Sequence, residues 1–465
     1  MYKHLLCWRY LRTRYIALAS IVSVMLGVAT MIVVNSVMAG FADKMRDRLH
    51  GVLADVVIES VSFNGFQNPD EVMALARQVA GDKIEAMAAA VETYGILTVF
   101  YNDEPITRQV QIIGVHPEER AKTGDFAEYL IDEQGQSRPP SFAVDPALRE
   151  RSYAGQMLKN TPKDDPLYEV FAQQALASVS NHGTILGYAL ATQHLGTGKG
   201  DFFFAPRGAK AILTFPSTGR PPKPASDSFT VVGFFKSGMS EYDSTHVYVP
   251  LDRLQELRGL GEGQRAAVNQ IQVRCKPGAN LDKLATTLDS ALLKKWGMRF
   301  RVQTWEEKQG PLLAAVSLEQ SILNILLFFI IAVAGFGILA IFSMIVVEKT
   351  RDIGVLKALG ASTSGVRGIF LGYGLSLGLV GSGVGMAAGL LFVHHINHIE
   401  TLLSQITGRK VFDDNIYYFN EIPTLIDPWT VGWIVVGALL IAVAASVWPA
   451  QRAAKLHPVQ ALRFE

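Results

Sequence analysis

Four stretches without a single charged side chain divide this chain: residues 15–42, 320–347, 368–393 and 428–451. At 1.5 Å per residue a helix over any of them covers a hydrocarbon core of about 30 Å, so the pattern predicts four membrane helices. From about Val52 to about Val316 no run is long enough to cross a bilayer. There the pattern turns to short alternating pieces that read as strands: 54–60, 94–102, 107–115, 209–215, 228–235, 246–250 and 269–275. Helix-spaced pieces near 70–80, 168–178, 251–258 and 281–296 lie among them. Interleaving of this kind predicts a compact α/β or α+β domain inserted between the first and second membrane helices.

Charge placement orients these elements. Residues 1–14 carry Lys3, Arg9, Arg12 and Arg14 and no acid, the segment 348–367 carries Lys349, Arg351, Lys357 and Arg367, and the tail 452–465 carries Arg452, Lys455 and Arg463. By the positive-inside rule all three are cytoplasmic, which leaves the domain at 43–319 and the loop at 394–427 on the outer side. Trp429, Trp433 and Trp448 then fall near membrane interfaces. A cleaved signal peptide ending at Val37-Met38-Ala39 competes for the first run, but that run is longer than a signal h-region of about 7–15 residues. The mixed-charge stretch after Phe41 keeps helix formers, so the first membrane helix is expected to continue as a stalk. The turn- and proline-rich section 124–181 reads as an insertion, and Pro216–Ser226 as a long protruding hairpin tip.

The segment joining the second and third spans is amphipathic. Ile353, Leu356 and Leu359 recur at helical spacing as one apolar stripe, with Glu348, Lys349, Arg351, Asp352 and Lys357 on the remaining surface. Such a stripe calls for a partner protein. In the third span Gly374, Gly378, Gly381, Gly385 and Gly389 repeat at about four-residue spacing, a face that lets helix backbones approach closely in lipid. The same letters imitate a nucleophile elbow at 374–378 and a dinucleotide fingerprint from Gly383, but neither stands at a strand-to-helix turn.

Composition changes little in this picture. The chain is 49% hydrophobic and 18% charged with a net charge of +1, which excludes a global nucleic-acid footprint. Cys7 and Cys275 are assigned to opposite sides of the membrane, so no disulfide or thiolate metal site is expected. His394 and His398 share a helical face next to His395, yet without Cys or nearby acid they read as an interfacial helix end, and no metal is expected. The glycine-rich 195–201 lacks both the first glycine and the hydroxyl residue of a phosphate loop, so any ATP and Mg would be bound by another chain. His182, His194 and His246 are isolated, and no spacing in the outer domain is diagnostic of catalysis.

Several segments together resemble a family. The tip 348–362, the early SVMAGF, the outer-domain segment 231–255, the late loop 413–427 and the ending 448–465 are similar to the LolC/LolE permease subunits of lipoprotein-releasing ABC transporters, within the wider MacB/FtsX-type permeases. The resemblance implies a non-catalytic subunit of the bacterial inner membrane that works with a cytoplasmic ABC ATPase and a second permease, identical or paralogous. It implies a coupling helix from Glu348 to Gly360 seated on the ATPase, and mechanical relay through stalks near 38–49 and 311–320. It further implies lipoprotein as cargo, with membrane lipid around it. Met25, Met31, Met38, Phe41, Ile325 and Phe329 are the candidates for an acyl-chain cavity. The loop carrying Pro216, Gly219, Arg220, Pro221 and Pro222 is the candidate docking site for a periplasmic lipoprotein carrier. The rivals are a MacB-like exporter and an FtsX-like signalling permease that activates a wall hydrolase.

Overall fold

The structure, a computed structural model, describes residues 15–457 except 103, 146, 149–160, 163–164, 166, 171–179, 195–200, 220, 262–265 and 408–420. Parts of the expected insertion (146, 149–160, 163–164, 166 and 171–179), the glycine-rich 195–200, Arg220, Cys7 and the two chain ends therefore lie outside the described residues. The chain divides into two compact units, one of Met1–Lys44, Pro311–Val411 and Glu421–Glu465, the other of Met45–Gly310 and Phe412–Asn420.

The first helix, α1, runs unbroken from Tyr15 to Val52 over 38 residues. Its apolar run ends at Ala42, but DKMRDR supplies no breaker, so the helix continues as the pattern predicts. Val37–Gly40 sits in its interior.

Among the described residues, the outer unit is built on a ten-stranded sheet. In chain order its strands and helices begin with β1 (Val56–Ser60), α2 (Pro69–Ala80), β2 (Ile84–Tyr101), β3 (Glu104–Val115), β4 (Leu130–Ile131) and β5 (Gly183–Gly187). A short pair, β6 (Thr192–His194) and β7 (Asp201–Phe203), stands apart from that sheet. There follow β8 (Lys210–Pro216), β9 (Pro224–Phe235), β10 (His246–Pro250), α3 (Leu251–Arg258), β11 (Gln270–Cys275), α4 (Leu281–Trp296), β12 (Phe300–Thr304) and α5 (Trp305–Lys308). The order across the sheet is β12-β1-β11-β2-β3-β10-β5-β9-β4, with β8 bridging β2 and β9. β3–β10 and β5–β9 are parallel pairs and the others antiparallel, so the sheet is mixed.

Two cores flank the sheet. α2 and α4 close one, with Val72, Ala76, Leu284 and Leu288 against Val56, Ile58, Ile271 and Val273. Their ends follow simple rules: Pro69 and two acids open α2, and the Asn280 side chain accepts from Lys283 N at 2.9 Å to cap α4. The second core gathers Leu97, Val110, Leu213, Phe229 and Val249.

The bundle resumes with α6 (Gly310–Glu348), α7 (Thr350–Ala358), α8 (Thr363–His394), α9 (Ile396–Thr407) and α10 (Pro428–Lys455). α1, α6, α8 and α10 are long and apolar enough to cross a membrane. α9 is a helix where the sequence reading placed a loop. Its spacing of Ile399, Leu402, Leu403 and Ile406 gives it an exposed apolar side, as in helices that lie in a membrane interface.

Candidate functional site: the hairpin tip and the helices behind it

Between α6 and α8 the chain turns twice within a few residues. Gly360 makes the second turn at φ +92, with nothing within 4 Å of where a Cβ would stand, and Ser362 caps α8 by accepting from Gly365 N at 3.1 Å. The turns fix which face of α7 is free. Ile353 is only 3% exposed and packs with Ile345, Val366 and Phe370 of its own bundle, whereas Leu359 is 81% exposed and Leu356 half-buried. The expected stripe is thus split: Ile353 anchors α7 to the bundle, and the apolar surface offered outward is Leu359 with Val355, one turn earlier. Sequence spacing missed Val355 because it ranks positions by periodicity alone, and the bundle's own demand for Ile353 rotates the free face.

The polar residues of the tip divide in the same way. Lys349 pairs with Asp352 at 2.6 Å on the surface, Arg351 is exposed, and Glu348 is exposed at the end of α6. Lys357 has a structural task. Its Nζ donates to Ala454 O and Leu456 O at 2.6 and 2.7 Å, placing a cation on the carbonyls that end α10.

Behind the tip, the α8 glycines meet two different helices. A Cβ on Gly374 would lie 2.6 Å from Ser446 Cβ and one on Gly378 2.9 Å from Ala442 Cβ, both on α10. On Gly381 it would lie 2.9 Å from Val24 Cβ, on Gly385 2.7 Å from Met25 O and on Gly389 3.2 Å from Ala29 Cα, all on α1. The stripe therefore lets α8 press against α10 at the end nearer the tip and against α1 further along.

The six cavity candidates are not gathered into one space. Met25, Met31, Met38 and Phe41 are half-buried on α1, while Ile325 and Phe329 are exposed on α6. A cavity of about 270 Å³ between α1, α6 and α10 is lined instead by polar groups, among them Asn35, Gln320, Asn324, Asp427 and Thr430. Beside it the chain before α10 is held to α1. Leu425 N donates to Ser36 O at 2.9 Å, and Gly40 lies so close to Pro423 and Thr424 that a Cβ would stand 2.6 Å from their backbone. Gly40 was legible only as a letter of SVMAGF. His394, His395 and His398 follow at the α8–α9 junction with ring centroids 4.8 and 6.1 Å apart.

In the outer unit the hairpin tip is shorter than expected. β8 reaches Pro216, β9 starts at Pro224 opposite it, and only 217–223 lies between, held back by Thr218 donating to Arg258 O at 2.9 Å. Elsewhere in this unit the SGMSEYDS segment has a physical explanation. The Asp243 carboxylate accepts from Ser237 N and Oγ at 2.8 Å and from Gly238 N at 3.2 Å, folding the turn around itself. Gly238 sits at φ +74 with the Arg48 guanidinium, from the last turns of α1, donating to its carbonyl at 2.5 Å. Burial pushes the Asp243 carboxyl up to about 6. Nearby, His50 Nε2 and Cys275 N both bond the Asp55 carboxylate, and burial raises the Cys275 thiol to about 12.

Comparison with known proteins agrees with this architecture. The model of the FtsX-like permease C-terminal family matches residues 324–458, from α6 through α10. The lipoprotein-releasing system transmembrane protein LolC of Xylella fastidiosa (strain Temecula1) is 24% identical over 467 residues, covering 98% of this chain and 97% of its own. LolC of Neisseria meningitidis serogroup B is 26% identical, covering 98% of each chain. The LolE protein of Haemophilus influenzae is 29% identical over 38% of this chain and 43% of its own. With an FtsX-like model matching its last three candidate membrane helices and similarity to LolC proteins from end to end, this chain is similar to the LolC/LolE branch of the FtsX-like permeases and has the architecture of a multi-pass permease subunit of an ABC transporter.

Proposed function

We propose that this permease extracts lipoproteins from the inner membrane by transmitting the closure of a separate ATPase to its outer unit. The N- and C-termini and the tip 348–367 face the cytoplasm, where ATP and Mg are held by the partner. Val355, Leu356 and Leu359 of α7 seat in that partner, and a second permease completes the membrane assembly. The observation that carries the reading is the tip itself: a helix fixed from behind by Ile353 and Lys357, with a strongly exposed Leu359 in front, can push or be pushed without folding away. Full-length similarity to LolC supports lipoprotein as cargo. The shortened 217–223 loop remains the place we assign to a soluble carrier.

Depletion followed by membrane fractionation tests the cargo. Mature lipoproteins accumulating in the inner membrane are the expected result, and normal sorting with altered wall cleavage or drug export contradicts it.

A further inference from the structure

One face of the outer unit's sheet carries a cleft that none of the roles above uses. The register places Glu92 and Tyr94 of β2, Gln109 and Gln111 of β3, and Gln270 and Gln272 of β11 on the same face, because Tyr94 pairs with Gln111 and Gln272 with Ala88. Together with Arg120, Tyr242, His246 and Lys308 they line a cavity of about 460 Å³, within the size of ordinary ligand pockets.

Its chemistry is specific. Two acids, Glu92 and Glu241, face two cations, Arg120 and Lys308, so the wall carries no formal charge. Lys308 Nζ lies 2.5 Å from Glu59 and 3.8 Å from Glu92, and Gln111 donates to Glu92, so Lys308 and Glu92 are satisfied from within. Two buried polar atoms on the same wall are not. Among the described residues, Arg120, 3% exposed, has no acceptor for its Nε–H, and Gln272, 8% exposed, has no donor for its Oε1. Leaving such a group buried and unpaired is unfavourable. What the wall lacks is therefore one acceptor and one donor, uncharged, beside side-chain amides. A peptide group carries one of each.

We propose that this cleft binds an extended, uncharged segment of polypeptide through its main-chain amides, with the Tyr94 ring, 67% exposed, packing at the mouth. The assignment stands on the outer unit alone and does not depend on the cargo or the ATPase reading.

The test uses the full chain in nanodiscs and, as probe, a short acetylated and amidated Ser/Gly/Asn peptide carrying one benzoylphenylalanine. Saturable photocrosslinking with half-saturation at or below about 1 mM is expected, with adducts mapping to β3 and β11. Gln272→Leu and Tyr94→Ser should each weaken it about tenfold, roughly 1.4 kcal/mol. Because Tyr94 is exposed, the second variant keeps its fold, which an unchanged melting curve verifies. Unsaturable labelling, adducts elsewhere, labelling unaffected by both variants, or displacement by chitobiose but not by unlabelled peptide would each overturn the proposal.

Discussion

At the residue scale, Gly238 shows how a short motif encodes a long-range contact. Its left-handed backbone is required by the turn around Asp243, and the missing side chain is required by Arg48, which lies 190 positions away in sequence. Gly278 has a similar φ of +86 but nothing within 4 Å of its would-be Cβ. Gly278→Ala is expected to cost about 1–2 kcal/mol from the backbone alone, and Gly238→Ala distinctly more because Arg48 must move. Thermal melting of the two variants decides this, and equal losses would remove Arg48 from the explanation. Gly238 and Asp243 were quoted in the resemblance, yet their work was illegible because its partner lies on α1.

His246 gives a pH dependence with a definite sign. Burial and the nearby Arg120 hold its imidazole down to about 3, from an ordinary 6.5. The unfolded chain takes up this proton below about pH 6.5 while the native chain refuses it. Its contribution is intact above that pH and is lost toward pH 3, at up to about 1.4 kcal/mol per unit. Asp243 opposes it: raised to about 6, it is protonated first in the native state, so its share of stability grows as pH falls from 6 toward 3.8. Replacing His246 by Phe should therefore make melting temperature fall less steeply between pH 6 and 4 than in the parent chain. A parallel pair of profiles would contradict the burial argument.

At the element scale the helices were the most legible part, since charge-free runs and caps mark them directly. The first half of β2 was not. Ala86, Ala88, Ala89 and Ala90 favour helix on their own, but pairing with β11, joined at Ala90 by β3, makes them strand, an instance of tertiary context overriding propensity. α9 was passed over because its apolar positions do not make a spanning run. The glycine face of α8 was readable as a pattern but not as a division of labour between α1 and α10. That division predicts a contrast: Gly385→Ala meets Met25 O and should destabilise the bundle, while Gly383→Ala, with open space around it, should be neutral or stabilise by about 0.5–1 kcal/mol. Melting in detergent checks both, and a loss at Gly383 equal to that at Gly385 would count against close packing there.

The tip calls for a second contrast. Leu359→Asp should reduce co-purification of the ATPase about tenfold, near 1.4 kcal/mol, with unchanged melting, because the side chain already faces outward. Ile353→Asp should instead lower the melting point, since it buries a charge without a partner. Undiminished co-purification by Leu359→Asp would remove the coupling role from α7.

At the scale of the whole molecule, the count of spans and the placing of a large α/β unit between the first two followed from patterning alone. The ten-stranded order did not, because strand neighbours such as β1 and β12 are set by pairing across the full length of the unit. The account as a whole requires the tip and the outer unit to lie in different compartments. In a Cys7→Ser background, Met298→Cys, at a position 86% exposed in the outer unit, and Leu359→Cys report on the two directly. A membrane-impermeant maleimide applied to intact spheroplasts should label residue 298 and reach residue 359 only after permeabilisation; labelling of both from the same side would contradict the account.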